Sequence, residues 1–174
     1  VGVDIGCGMC FVVTNIKYDT VREIQTGNGG LIQSIIGDIM RTIPVGREKH
    51  HRPQKSMVLD QALRESKLYE SEQELLPLLK TGYEQIGTLG GGNHFIEIQQ
   101  DENGYLCIMI HSGSRHLGNG VCVYFNEVAQ KFNHREKQNR VPEEYQLAYL
   151  YTDSNEGQQY LKWMQFAMDY ALEN

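Results

Sequence analysis

The chain has 174 residues, a hydrophobic fraction of 40% and a formal net charge of -6 at pH 7. A chain of this length buries enough apolar surface to fold as one domain without disulfide or metal staples. No apolar run approaches the roughly 18 residues that a membrane span requires. The negative charge argues against indiscriminate adhesion to nucleic acid, although it leaves specific RNA binding open. We therefore expect a cytoplasmic protein that does not enter the membrane.

The cysteines and the N-terminus bear on the cellular compartment in which the protein works. Four cysteines, Cys7, Cys10, Cys107 and Cys122, are too few to demand a disulfide framework, so we expect them to be reduced. Cys107 and Cys122 lie in apolar surroundings that are typical of core packing. The opening residues lack the basic start and the small-residue cleavage site of a signal peptide, and the first residue is Val1 rather than Met. We interpret this N-terminus as a cut.

The first half of the chain predicts one strand and two helical segments. Residues 3–16 mix glycines with β-branched and aromatic residues, which favours a strand with an unusual start. Apolar residues between 31 and 40 recur at helical spacing and predict a core-facing helix. A polar, basic loop follows at 44–53, and its basic residues suit either phosphate binding or a solvated surface. The segment 56–80 is then expected to be mostly helical, with Ser71 and Glu74 resembling a capping box.

The second half predicts a β-hairpin followed by two long helices. Two short apolar runs on either side of Asn103-Gly104 form the hairpin, with His94 at the start of its first strand and His111 at the end of its second. The antiparallel pairing brings both histidines to the same end. Apolar stripes then mark two core helices, the second capped by Asp153 and Glu156; the stripe residues are Val121, Phe125, Val128 and Phe132, then Tyr160, Trp163, Met164, Ala167 and Ala171.

Four side chains have the chemistry to share a transition metal: Asp4, Cys7, His94 and His111. One carboxylate, one thiolate and two imidazoles suit manganese or zinc, and a thiolate can bridge two ions. Each residue also has a structural alternative. Asp4 could cap a turn, Cys7 could pack in the core, and each histidine could be a buried hydrogen-bond donor.

Two further segments suit the binding of phosphate. The glycine-rich run 87–93 offers backbone N–H groups with little steric cover, although a tight turn before a strand explains it equally well. The run 111–115 adds hydroxyls and the guanidinium of Arg115 beside His111. Its alternative is a polar connection between a strand and a helix. A further pattern, C-x-x-C at Cys7 and Cys10, invites a thiol-redox or zinc interpretation, but no second C-x-x-C accompanies it.

Three motifs together resemble those of the RtcB family of RNA-splicing ligases: VGVDIGCGM at 1–9, LGGGNHFIE at 89–97 and HSGSR at 111–115. The resemblance runs through the whole chain and includes IPVG at 43–46 and the C-terminal aromatic helix. It implies that residues 1–174 are part of an RtcB-like catalytic domain. The expected fold class is α+β, with a mixed sheet whose β-hairpin carries metal ligands and is packed by several amphipathic helices.

The resemblance implies a reaction and a set of site residues. Members of the family join RNA 3′-phosphate or 2′,3′-cyclic phosphate ends to 5′-hydroxyl ends in tRNA splicing and RNA repair. They use GTP, two Mn²⁺ ions and a histidine that becomes guanylylated, and they often work with the partner archease. By resemblance, Asp4, Cys7 and His94 bind the first manganese, and Cys7 with His111 binds the second. The segment Asn93, His94, Phe95, Ile96 and Glu97 contacts the guanylate, and Arg115 is a candidate for a phosphate or RNA contact.

The chain also departs from the family pattern. The family's upstream Asp-x-His-x-Gly motif, the guanylylated histidine, the further manganese histidine and the C-terminal lysine have no match among these residues. We therefore expect no catalytic nucleophile in this chain and no ligase activity from it alone. Two alternatives remain beside the ligase: a non-catalytic metal- or nucleotide-binding module, and a thiol-redox or zinc protein that uses Cys7 and Cys10.

Overall fold

A computed structural model describes residues 3–65, 73–135 and 145–174. Val1, Gly2 and Ser71, which belong to the first motif and to the predicted capping box, lie outside the described residues. The elements are, in chain order, β1 (Gly8–Lys17), α1 (Tyr18–Val21), β2 (Gln25–Thr26), β3 (Gly29–Gly30), α2 (Leu31–Thr42), α3 (Met57–Glu65), a 3-10 turn (Gln73–Leu75), α4 (Leu76–Gln85), β4 (Phe95–Gln100), β5 (Tyr105–Ser112), α5 (Arg115–Arg135) and α6 (Asn155–Glu173).

The main sheet has three strands in the order β1-β5-β4. The predicted hairpin is present: β4 and β5 pair antiparallel with Phe95 opposite His111. Its turn is held by Asp101, whose Oδ1 accepts from the N–H groups of Asn103 at 3.0 Å and Tyr105 at 2.6 Å. Strand β1 also pairs antiparallel with β5, so the expectation of a mixed sheet is wrong for the described strands. Both strands that neighbour β5 in the described residues run antiparallel to it.

The helices α3 to α6 enclose the core beside this sheet. The apolar stripes of α5 and α6 face the core, as their helical spacing predicts, with most of their residues buried and Val128, Tyr160, Met164 and Ala171 partly buried. Trp163 and Tyr170 of α6 are almost fully buried, and the Tyr170 hydroxyl donates to the Gly82 carbonyl of α4 at 2.8 Å. Cys107 and Cys122 are buried, as their surroundings predict, and all four cysteines are free thiols. No helix of the described residues is both long and apolar enough to cross a bilayer.

Helix α2 forms where the sequence predicts it, but it does not face the core. None of its residues is buried, and Ile36 and Met40 are 43% and 77% exposed. Its apolar side chains instead line one wall of a groove of about 460 Å³, whose other wall includes Ile96 and Ile98 of β4. The prediction that α2 faces the core was wrong for a simple reason. Helical spacing reveals that an apolar face exists, but it does not reveal what lies against that face.

The ends of helix α6 are fixed by side chains that local sequence patterns do not identify. Its N-cap is Ser154, whose Oγ accepts from the Gly157 N–H at 3.0 Å, so the predicted cap at Asp153 is wrong by one residue. At the other end, the Glu173 carboxylate accepts from the Ser56 hydroxyl at 2.6 Å and from the backbone N–H groups of Met57 and Val58. Glu173 therefore satisfies the N-terminus of α3 from a distant part of the chain.

Replacing Glu173 with alanine removes the acceptor for three donors at the start of α3. We expect Glu173→Ala to lower the free energy of unfolding by about 1–2 kcal/mol, the usual cost of losing a helix cap. Urea denaturation measures the change. Glu48→Ala, at an exposed loop position, is the matched control and should stay within about 0.5 kcal/mol of the wild type. Equal stability of the two variants would contradict this assignment.

Candidate metal centre

The four proposed ligands come from three segments that meet at one end of the main sheet. His94 directly precedes β4, and His111 lies in β5 opposite Phe95. Asp4 and Cys7 belong to the turn before β1, where the Cys7 N–H donates to the Asp4 carbonyl at 3.1 Å. The hairpin register brings the two histidine rings to 5.2 Å between centroids. The structure thus gathers side chains that are up to 107 positions apart in the sequence.

Cys7 lies at the middle of this cluster. Its Sγ is 3.0 Å from His111 Nε2 and 3.8 Å from His94 Nε2, and these three ligand atoms all lie within 4.8 Å of one another. On the other side, His94 Nε2 is 2.9 Å from Asp4 Oδ2. Two ligands of one tetrahedral ion, with metal–ligand bonds of about 2.0–2.3 Å, stand roughly 3.3–3.8 Å apart. The Cys7–His94 separation matches this spacing, whereas the other two pairs stand at hydrogen-bonding distance.

The orientation of His94 is set by its second nitrogen. His94 Nδ1 donates to the Leu89 carbonyl at 3.0 Å, and the side chain is only 6% exposed. This bond aims Nε2 at Asp4 and Cys7. A metal-binding histidine commonly has its other ring nitrogen held by a carbonyl or a carboxylate in this way, because that bond fixes both the tautomer and the ring plane.

The glycine-rich loop before His94 is held by hydrogen bonds within the chain. The N–H groups of residues 87–89 are already bonded, to the Asn174 side chain and to the carbonyls of Gln85 and Pro44. They are thus not free to cradle a phosphate. At Gly90 the backbone has φ +101°, and an added Cβ would stand 2.4 Å from His94 Nδ1 and closer still to Arg115. Only glycine allows this approach.

Arg115 also supports the loop. It adopts a left-handed backbone conformation with φ 57° at the start of α5. Its Nε donates to Thr88 Oγ1 at 2.9 Å and its Nη2 donates to the Gly46 carbonyl at 2.7 Å. Burial lowers the pKa of Arg115, and the nearby Asp4 carboxylate opposes that change. Arg115 thus places a cation beside the cluster while it joins two loops.

The segment proposed for guanylate contacts is divided between the two faces of the sheet. Phe95 and Glu97 alternate with Ile96, so they share a face with His111. The Phe95 and His111 rings pack edge to face, with their centroids 5.5 Å apart. Glu97 is exposed and accepts from Gln99 Nε2, and Asn93 is also exposed. Ile96 lies on the opposite face, and the groove beside α2 is lined by both Ile96 and Glu97.

Cys10 is not part of the metal-ligand group found among the described residues. In the register of β1 with β5, Met9 is opposite His111 and Cys10 is opposite Ile110. Since successive strand residues point to opposite faces, Cys10 lies on the face away from His111. The C-x-x-C spacing therefore does not place both thiols in one site.

Three contributors to the site escaped the sequence analysis: the Leu89 carbonyl, Ser112 and Asn174. Ser112 Oγ donates to the same Leu89 oxygen at 2.9 Å. The Asn174 side chain bonds to both loops that flank the cluster. No periodicity or motif marks these roles, because each depends on contacts between distant segments. The HSGSR motif pointed to Ser112 only as a possible phosphate ligand.

The acidity of Cys7 offers a test of the cluster without any metal. Burial raises the pKa of the Cys7 thiol, and the negative charge of Asp4 raises it further. Asp4→Asn removes that charge, so the pKa falls and more thiolate exists at a given pH. We expect Cys7 to react faster with iodoacetamide in this variant, measured by peptide mass spectrometry across pH in the presence of a chelator. Cys10, labelled in the same samples, should keep its rate, and an unchanged Cys7 rate would argue against the Asp4–Cys7 contact.

Comparison with known proteins agrees with the motifs. Residues 1–174 match the family model "tRNA-splicing ligase RtcB". The RNA-splicing ligase RtcB of Escherichia coli strain K12 is 34% identical over 180 aligned positions, which cover 100% of this chain and 43% of that protein. The RNA-splicing ligase RtcB1 of Escherichia coli strain ATCC 25922 shows the same identity and coverage. The chain spans less than half the length of these relatives, and it belongs to the RtcB family.

Proposed function

We propose that this chain supplies the metal- and guanylate-binding part of an RNA ligase. The ligase joins RNA 3′-phosphate or 2′,3′-cyclic phosphate ends to 5′-hydroxyl ends, in tRNA splicing or RNA repair. The observation that carries the proposal is the convergence of Asp4, Cys7, His94 and His111 in a member of the RtcB family. The site is built from the same three motifs that identify the family.

We infer that the metal is manganese, because the family resemblance implies it and the donor set suits a divalent transition metal. Asp4 offers a hard oxygen, Cys7 a thiolate, and His94 and His111 offer imidazole nitrogens, which together suit a divalent transition metal. Asp4, Cys7 and His94 would hold a first Mn²⁺, and Cys7 with His111 would hold a second. When bound, these ions polarise phosphoryl oxygens and neutralise their charge. Because Cys7 is the ligand shared by both sites, it is the residue on which metal binding depends most.

The face of the sheet that carries His111 is the proposed GTP side of the site. In support of this proposal, Phe95 and Glu97 lie on that face, and Asn93 and His94 directly precede the strand that carries them. Ile96 instead supports the strand from the opposite face. Arg115 uses two of its nitrogens within the chain, so we assign it to electrostatic support of a bound phosphate or RNA.

The covalent step is assigned to a histidine outside this set. The chain has six histidines, and all of them lie in the described residues. His94 and His111 are committed to the metal cluster, and His50 faces the Gly87 carbonyl at 3.3 Å. His51, His116 and His134 match no family motif. The other steps of the proposed reaction therefore involve groups other than these six histidines. Those steps include recognition of the RNA ends and any action of archease.

Substitution of the bridging thiol tests the metal proposal. We expect Cys7→Ser to weaken Mn²⁺ binding at both sites by at least about tenfold, because a hydroxyl is a much poorer metal donor than a thiolate. Electron paramagnetic resonance of free Mn²⁺ during a titration measures the affinities. The wild type should bind one ion more tightly than the second, since the first site has three protein ligands and the second has two.

Cys10→Ser is the matched control, since it makes the same chemical change three residues away on the other face of the sheet. It should leave Mn²⁺ affinity nearly unchanged. Equal losses from both substitutions would favour the C-x-x-C interpretation, and two equally tight ions in the wild type would contradict the ligand assignment.

A second test concerns the covalent guanylate. Incubation of the 174-residue chain with Mn²⁺ and labelled GTP should leave no acid-labile label on the denatured protein. Covalent catalysis needs a nucleophile in line with the α-phosphate, and a metal-bound imidazole has its lone pair occupied. A full-length RtcB ligase treated in parallel should become labelled. Label on any of the six histidines would overturn the assignment of roles.

A further inference from the structure

The side chain of Asn174, directly after α6, makes five hydrogen bonds to the loops around the cluster. Its Oδ1 accepts from the N–H groups of Gly87 at 2.8 Å and Thr88 at 3.3 Å. The two hydrogens of its Nδ2 face three acceptors, so one is shared: the Thr88 carbonyl at 3.2 Å, Ser112 Oγ at 3.0 Å and the Gly113 carbonyl at 3.2 Å. One amide thus joins the loop that leads to His94 to the segment that follows His111.

These bonds extend to the ring of His94. Asn174 Nδ2 donates to Ser112 Oγ, and Ser112 Oγ donates to the Leu89 carbonyl at 2.9 Å. The same carbonyl accepts from His94 Nδ1 at 3.0 Å. A carbonyl oxygen has two lone pairs and can accept both bonds. A chain of donors of this kind polarises each successive bond, which strengthens it in a partly buried site.

The same end of α6 also supports the turn that carries Asp4 and Cys7. Gly6, between these two residues, has φ +78°, and a Cβ added there would stand 2.7 Å from the Ala171 Cβ and 3.1 Å from the Met168 Cα. The turn therefore packs directly on the final turns of α6. All three segments that supply the proposed ligands meet this one helix end.

We propose that Asn174 is a positioning residue for the metal centre: through Ser112 and the Leu89 carbonyl it fixes the direction in which His94 Nε2 points. The inference rests on the proposed metal site. Asn174 touches none of the ligand atoms, and its role is to hold the carbonyl that orients one of them. Outer-shell partners of this kind typically change metal affinity by about 10- to 100-fold when they are removed.

The neighbouring residue provides a control for general destabilisation. Glu173 also makes three hydrogen bonds from the end of α6, but they go to the start of α3 and not to the loops of the cluster. Glu173→Ala therefore loosens the same helix end without breaking the connection to His94. Comparing Glu173→Ala with Asn174→Ala distinguishes a loss of the His94 ring orientation from a loss of stability.

The experiment compares the wild type, Asn174→Ala, Ser112→Ala, the double variant and Glu173→Ala. Free Mn²⁺ is followed by electron paramagnetic resonance at a temperature where every variant is folded. We expect about tenfold weaker binding in Asn174→Ala and Ser112→Ala, and no further loss in the double variant, because both changes break one relay. Glu173→Ala should bind Mn²⁺ with an affinity within about twofold of the wild type. If Asn174→Ala acted only by lowering stability, Glu173→Ala would weaken Mn²⁺ binding as well.

A readout without metal distinguishes this inference from the proposed function. In long-range proton–nitrogen spectra of the metal-free chain, the His94 Nδ1–H signal should be present in the wild type and in Glu173→Ala and lost in Asn174→Ala. If the wild type binds no Mn²⁺, the proposed metal centre fails, and this signal alone decides the role of Asn174. An unchanged signal in Asn174→Ala would overturn the inference, as would equal weakening of Mn²⁺ binding by Asn174→Ala and Glu173→Ala.

Discussion

The hydrogen bond between His94 Nδ1 and the Leu89 carbonyl determines how the cluster is arranged. It settles which nitrogen of a nearly buried ring faces Asp4 and Cys7. An imidazole free to rotate about its side-chain bonds would lose rotamer entropy on binding a metal, and fixing the ring beforehand avoids that loss. The surrounding features follow from this requirement. Gly90 leaves room for the ring, and Arg115 joins the glycine-rich loop, through the Thr88 hydroxyl, to the Gly46 carbonyl.

The electrostatics of the cluster favour a cation between its members. Cys7 has a raised pKa because it is partly desolvated beside the Asp4 carboxylate. His94 Nδ1 donates to the Leu89 carbonyl, and its Nε2 faces Asp4 Oδ2 at 2.9 Å. A divalent ion held there would be the positive partner of the Asp4 carboxylate and would stabilise the thiolate of Cys7. Metal binding to a thiol releases its proton, so the metal affinity of such a site would increase as the pH rises toward the raised pKa of Cys7.

The sequence predicted those parts of the fold that local patterns encode. The two apolar runs around Asn103-Gly104 fixed the hairpin, and its register brings His94 and His111 to the same end. The stripes of α5 and α6 predicted their buried faces, including Phe125 and Trp163. The apolar face of α2 was predicted to be in the core and is not. Periodicity reports a residue's position around one helix axis, whereas burial depends on which other elements lie against it.

The site residues also fall into two groups: those that local sequence motifs identify and those that act through contacts between distant segments. Residue chemistry singled out Asp4, Cys7, His94 and His111 as a donor set that suits a divalent transition metal, and the structure brings these four side chains together. Asn174 carries no such signal, since an asparagine after a helix is ordinarily a cap. Its role arises only when α6 packs between α3 and the loops of the cluster. Strand β1 is exposed along most of its length, so the sheet alone is a weak support for Cys7. The turn that carries Asp4 and Cys7 instead rests on α6 through Gly6, and the precision of the site therefore derives from the helical core rather than from the sheet that carries His111.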